Sequence, residues 1–144
     1  MTQRTPIEFL EADFVQVLDA SPLSLLVIQR GELVYANARF LRAIGLPIEQ
    51  AVGIDPSRTI IDPQMRETAR ERVRKAEAGE PQAPLVYQTI RGDGAKVWAR
   101  IESTPCIFRG RPASLSIAQD VTDEVVASLA LRESEERYLS LIHI

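Results

Sequence analysis

With one cysteine and one histidine in 144 residues, the chain is short of the side chains that most enzyme chemistry needs. A lone Cys106 forbids an internal disulfide and fits a reducing compartment. His143 is the penultimate residue, so neither a Ser-His-Asp triad nor a histidine-ligated metal site is available in the body of the chain. No stretch reaches the roughly 20 consecutive apolar residues that a membrane span requires. From Met1 to Phe9 there is no basic segment leading into an apolar run, so no signal peptide is expected. If Met1 is the native start, the expected location is cytoplasmic. Surplus positive charge is missing as well. The net charge is −3, and the Arg and Lys of residues 66–77 alternate with Glu as on a solvated helix face, which argues against a nucleic-acid partner.

What remains is an ordinary single-domain composition, 45% hydrophobic and 26% charged. The chain opens with an amphipathic helix expected over 7–20, carrying Phe9, Leu10, Phe14, Val17 and Leu18 at helical spacing. Two apolar runs, Leu25 to Ile28 and Leu33 to Ala36, flank a Gly31 turn and read as a hairpin. Asn37 suits the N-cap of a short helix over 38–44, which turns Phe40, Leu41 and Ile44 inward and stops at Gly45. Breaks at Gly53 and Pro56 leave short helical turns and loop over 46–61. Asp62-Pro63 then starts a helix over 63–78, with Met65, Ala69, Val73 and Ala76 on one stripe and Gly79 as its stop.

The second half reads as strand: 85–91 and 96–104 around Gly92-Asp93-Gly94, then 113–121 after the turn Phe108-Arg109-Gly110-Arg111. Helix returns at Thr122, whose hydroxyl is placed to cap it, with Asp123 and Glu124 at the positive end of the dipole. Strands at both ends and helices between them predict an α+β fold, an antiparallel sheet with helices on one side. Asp55, Asp62 and Asp93 sit beside Pro or Gly, where turns and caps account for them, and no helix follows Gly92-Asp93-Gly94 to cradle a phosphate. No catalytic set or metal site emerges, so the chain is not expected to be an enzyme in its own right.

The order of elements, the Gly92-Asp93-Gly94 turn before Val97-Trp98, Pro105 after the long strand and the closing Asp120-Val121-Thr122 resemble a PAS domain over Glu11 to Thr122. The last triplet is similar to that family's D-[IV]-T junction into an output helix. The resemblance implies a five-stranded antiparallel sheet cupped around a small cavity, within a sensory module of a larger signalling protein. It divides the chain into an N-terminal helix (1–20), a PAS core (21–122) and an output or linker helix (123–144). Glu135 to Ile142 echoes Glu11 to Leu18 in its placement of acid, aromatic and aliphatic residues, either as the start of a second PAS copy or as two amphipathic helices sharing a pattern. An effector such as a histidine kinase or cyclic-dinucleotide enzyme is expected beyond it, as in two-component signalling.

Haem-binding members of the family use a His on the long helix, and members forming a flavin adduct use a Cys among the helices. Residues 63–78 hold no His and 38–78 no Cys, so both cofactors are disfavoured. Non-covalent flavin, a small metabolite or an acid remain as ligand types. Period-two alternation turns Val97, Ala99 and Ile101 to one face and Trp98 and Arg100 to the other. The expected cavity lining is Phe40, Ile44, Val73, Val97, Ala99 and Ile101. Trp98 is expected on the outer sheet face, covered by the first helix. Asp120 and Thr122 are the expected signal junction, and Val121, Val125 and Leu129 form a stripe for homodimerisation through the terminal helices. Two functions stay open: a ligand sensor relaying through the last helix, or a ligand-free module for dimerisation and protein interaction.

Overall fold

The computed structural model describes residues 11–142. Helix α1 spans Glu11–Asp19, the hairpin β1–β2 Ser24–Gln29 and Glu32–Ala36. Three short helices follow, α2 (Ala38–Ile44), α3 (Ile48–Ala51) and α4 (Pro56–Thr59). A 3-10 turn over Pro63–Met65 leads into α5 (Arg66–Glu77). Strands β3 (Gln82–Ile90), β4 (Lys96–Phe108) and β5 (Arg111–Asp120) complete the body, and α6 (Thr122–Ile142) leaves it. All strand pairs are antiparallel, in the order β2-β1-β5-β4-β3. Among the described residues no helix is long and apolar enough to cross a membrane.

Local chemistry accounts for the turns. Arg30 and Gly31 both have positive φ, as do Arg109 and Gly110, the backbone of the two-residue turn that matches the twist of a hairpin. Gly45 closes α2 in the left-handed region, its N–H donating to the Leu41 carbonyl. Asp55 and Asp62 accept from the backbone N–H groups of Ser57 and Gln64, capping α4 and the 3-10 turn.

Asn37 does more than cap. Its Oδ1 accepts from the Phe40 and Leu25 N–H groups, and its Nδ2 donates to the carbonyls of Leu18 and Leu23. One fully buried amide thus joins the end of α1, β1 and the start of α2. Around it lies an apolar cluster of Leu26, Ile28, Leu33, Ala36, Phe40 and Ala51. Burying a side chain such as Leu33 contributes about 1.5–3 kcal/mol. A second cluster, Ile61, Ala69, Tyr87, Ala99 and Ile101, lies between α5 and the β3–β4 half of the sheet.

Several boundaries differ from the sequence reading. The long helix begins as a 3-10 turn, so Asp62 caps that turn and not α5 itself. Strand β4 runs on to Phe108 and contains Pro105, paired with Ser114. Trp98 turns its N–H and carbonyl toward β5, so residue 105, seven places on, faces the side where β3 pairing has ended at Ser103. A missing N–H costs no ladder bond there. Strand β3 begins at Gln82 and β5 at Arg111, both earlier than expected. Of the expected N-terminal helix, residues 7–10, with Phe9 and Leu10, and the side chain of Phe14 lie outside what is described. Val121 is buried, Val125 half-buried and Leu129 exposed, so the proposed stripe starts inside the domain.

Candidate functional site

The inner face of the sheet and helices α2, α4 and α5 enclose a cavity of about 380 Å³. The pleat decides which residues reach it. Leu26 and Ile28 of β1, Ser116 and Ala118 of β5, Val97, Ala99 and Ile101 of β4, and Tyr87 and Thr89 of β3 alternate with outward neighbours and line the wall. From the helices come Phe40, Ile44, Ala69 and Val73. The six residues expected from the sequence, Phe40, Ile44, Val73, Val97, Ala99 and Ile101, all lie on this wall. Trp98 is half-buried and not part of the lining. The residues expected to cover it, Phe9, Leu10 and Phe14, are outside what the structure describes.

Three hydrogen-bonded clamps hold the rim. In the first, the Ser57 hydroxyl donates to Asp55 Oδ1 at 2.6 Å and accepts from Arg70 Nη2 at 3.2 Å, tying α4 to α5. Arg70 Nη2 also stands 3.6 Å from Asp55 Oδ2. In the second, both Glu77 carboxylate oxygens accept the Arg30 N–H, at 3.2 and 3.1 Å, joining α5 to the β1–β2 turn. In the third, the Gly92 N–H donates to the Ala43 carbonyl at 3.1 Å, closing the β3–β4 turn onto α2. A Cβ at position 92 would stand 2.1 Å from the Ile44 carbonyl oxygen, so the approach requires glycine. Sequence reading missed all three clamps because each joins residues far apart in the chain; only Asp55 before Pro56 hinted at a cap, and Gly92 read only as a turn residue.

The wall is apolar with hydroxyls set into it. Ser116 borders the cavity, and Ser103, outside the lining, faces it across β4 and β5 with the two oxygens 2.9 Å apart. Burial pushes the Tyr87 hydroxyl pKa above its ordinary value, against a smaller opposing pull from Arg72, so it is a protonated donor at neutral pH. Cys106 is half-buried on β4 and absent from the lining, and burial raises its thiol pKa. Among the described residues no group of three or more His, Cys, Asp or Glu side chains is placed to hold a metal. Asp55, Asp62 and Asp93 each accept a backbone N–H from two residues on.

At the end of β5 the expected junction residues meet, in a different pairing from the one expected. The Thr122 hydroxyl does not cap α6; it accepts the Trp98 N–H at 3.0 Å. Asp120 Oδ1 takes the Thr122 N–H at 2.9 Å, and the Val121 N–H donates to the Trp98 carbonyl at 2.8 Å. Arg100 Nη2 on β4 lies 3.2 Å from Glu124 Oε2 in the first turn of α6. Asp120 also borders the cavity, so one strand carries both wall and junction.

A family model for the PAS domain matches residues 22–123, and the chain belongs to that family. It is 22% identical over 134 residues to sporulation kinase A of Bacillus subtilis (strain 168), covering 93% of this chain. The match spans 22% of that kinase's length. Among solved structures it is similar to the PAS domain of a protein from Colwellia psychrerythraea (TM-score 0.65, 18% identity, 78% of this chain and 97% of that one). An RNA-binding Light-Oxygen-Voltage receptor matches with a TM-score of 0.69 and 18% identity, over 94% of this chain and 41% of that one. The structural matches, at these identities, speak for the fold alone.

Proposed function

We propose that this PAS domain senses a small molecule in its cavity and passes the change through β5 and the Asp120–Thr122 junction to α6, and so to an effector in a larger signalling protein. The observation carrying this reading is the continuity of β5, which supplies Ser116 and Ala118 to the cavity wall and leads within four residues of Ala118 into α6. A ligand that alters the strand's position acts directly on the helix root. Similarity to a kinase supports a kinase-type effector, with a cyclic-dinucleotide enzyme as the other candidate. The chain itself is read as non-catalytic. Native mass spectrometry of the purified protein tests the proposal: a retained small molecule, lost on mutating the cavity wall, is the expected result.

A second reading, dimerisation and protein interaction without ligand, draws on α6. None of its residues is buried, and Val126, Leu129, Leu131, Tyr138 and Leu139 are exposed. A second copy would cover these side chains across a two-fold axis. Sedimentation at tens of micromolar distinguishes the two: a dimer with no retained molecule favours this reading, and a monomer rules out dimerisation.

A further inference from the structure

The chemistry of the cavity wall bears on the class of ligand, an inference that rests on the sensing reading above. The charged side chains that border the cavity are exposed or half-buried at its rim, and most are already engaged. Asp55 meets Arg70, Arg74 meets Glu71, Arg91 meets Asp93, Glu77 holds the Arg30 backbone and Asp120 the Thr122 backbone. The buried polar residues among those described are Asn37 and four serines, with no charged group among them. A carboxylate or phosphate seated deep against the inner wall, away from the rim arginines Arg30, Arg70, Arg74 and Arg91, would lose its hydration and gain no opposite charge in exchange.

What the interior offers is hydroxyl protons. Ser103 and Ser116 are 3% and 2% exposed and make one hydrogen bond between two hydroxyls, which leaves one proton of the pair without an acceptor. Tyr87 is 4% exposed and stands opposite Ala99 on the inner face. Among the described residues no hydrogen bond involves its hydroxyl, which is not one of the polar side-chain atoms sealed in without a partner and so has space to meet a ligand. The wall around these donors is aliphatic: Leu26, Ile28, Ile61, Val97, Ile101 and Ala118. The volume of about 380 Å³ falls near the small end of ligand pockets, which run from roughly 300 to 1,000 Å³.

We propose that the cavity takes a compact, uncharged, mainly apolar molecule bearing a hydrogen-bond acceptor, a carbonyl oxygen or ring nitrogen, that is met by the Tyr87 hydroxyl, with the Ser103–Ser116 pair as a second donor. This removes acids from the ligand types left open by the sequence and keeps neutral metabolites. Acetophenone and benzoate, close in shape and different in charge, serve as matched probes. Each is titrated into the 144-residue chain while the amide signals of Ala99 and Ser116 are followed by NMR. Acetophenone is expected to bind at least tenfold more tightly than benzoate. Tyr87→Phe, which keeps the ring and its packing, is expected to weaken acetophenone about five- to tenfold, the worth of one hydrogen bond. Ser116→Ala gives an independent loss should Tyr87→Phe disturb folding. Benzoate binding as tightly as acetophenone, acetophenone indifferent to both substitutions, or no saturable shift with either probe overturns the ligand class. The sensing reading falls by a different result: Ala118→Phe, which sets a ring into the cavity, leaving the regulation of an attached effector unchanged.

Discussion

The Thr122 hydroxyl accepts the backbone N–H of Trp98 at 3.0 Å, so the first residue of α6 extends the hydrogen-bond ladder of β4. With the Val121 N–H on the Trp98 carbonyl, the helix root is fastened at two points to the strand that also supplies Val97 and Ala99 to the cavity. Thr122→Val keeps the shape and removes the acceptor. A half-buried N–H is then left unpaired, and about 1–2 kcal/mol of stability should be lost. Thr122→Ser should retain most of it. Hydrogen exchange at the Trp98 amide checks the mechanism, since it should accelerate in the Val variant and not in the Ser variant. In a chain carrying an effector, Asp120→Ala and Thr122→Ala should disturb regulation beyond what the lost stability explains. Regulation that changes only in proportion to stability would reduce both residues to local structure.

Asn37 gives a sharper stability test. Its amide makes two donor and two acceptor bonds while fully buried. Asn37→Asp is nearly isosteric, but it sets carboxylate oxygens against the Leu18 and Leu23 carbonyls. The expected cost is at least about 3 kcal/mol at neutral pH, since an unpaired charge is buried and two carbonyls lose their donors. The loss should shrink as pH falls: protonating the new carboxyl in the folded state removes the charge and restores one donor. Urea denaturation at pH 7 and pH 5 reads both effects, and a variant as stable as the parent at pH 7 contradicts the assignment of the four bonds.

Local signals carried much of this fold into the sequence reading. The glycines at 31, 45 and 110 adopt positive φ at the turns and cap where breaks were read, and the pleat of β4 places Val97, Ala99 and Ile101 on the wall. Partnerships across the chain were not legible. Asn37 reads as a cap, and two of its partners lie in the segment before β1. Thr122 reads as a cap and instead reaches a backbone donor 24 residues earlier. Pro105 reads as a strand end because the sequence does not reveal that β3 has already stopped beside it. In each case composition indicates what a side chain can bond, and only the tertiary arrangement chooses the partner.

Cys106 should be a sluggish nucleophile. Burial raises its thiol pKa, so at a given pH near 8 it holds less thiolate than a free cysteine, and the thiolate is the reactive form. Alkylation by iodoacetamide should be slower than for the urea-unfolded chain at pH 8, with the folded rate climbing at higher pH than the unfolded one. The linkage has a matching sign: an acid whose folded pKa is raised favours the folded state less as pH rises past its unfolded value of about 8.5. A folded-state rate equal to the unfolded one would mean that the thiol is not shielded.

Gly92 is where backbone space, and not backbone conformation, demands glycine. Its φ is not positive, so alanine meets no conformational penalty there. The obstacle is the Ile44 carbonyl oxygen, 2.1 Å from where the Cβ would stand, with the Ile44 carbonyl carbon at 2.6 Å. Both neighbours are backbone atoms at the end of α2, so neither can swing aside as a side-chain tip would. Gly92→Ala must therefore move the β3–β4 turn off α2 and lengthen or break the Gly92 N–H to Ala43 carbonyl bond. The expected loss is about 1–3 kcal/mol, the range for steric overpacking. Because Ile44 and Arg91 border the cavity beside this contact, the same variant should loosen that rim. Chemical denaturation measures the first effect, and the retention of a cavity-bound molecule in native mass spectrometry the second. Gly94→Ala is the control, since its Cβ meets nothing within 4 Å while its φ of +85° is strained for alanine. It should cost stability through backbone conformation alone and leave the α2 contact, and with it the cavity rim, in place.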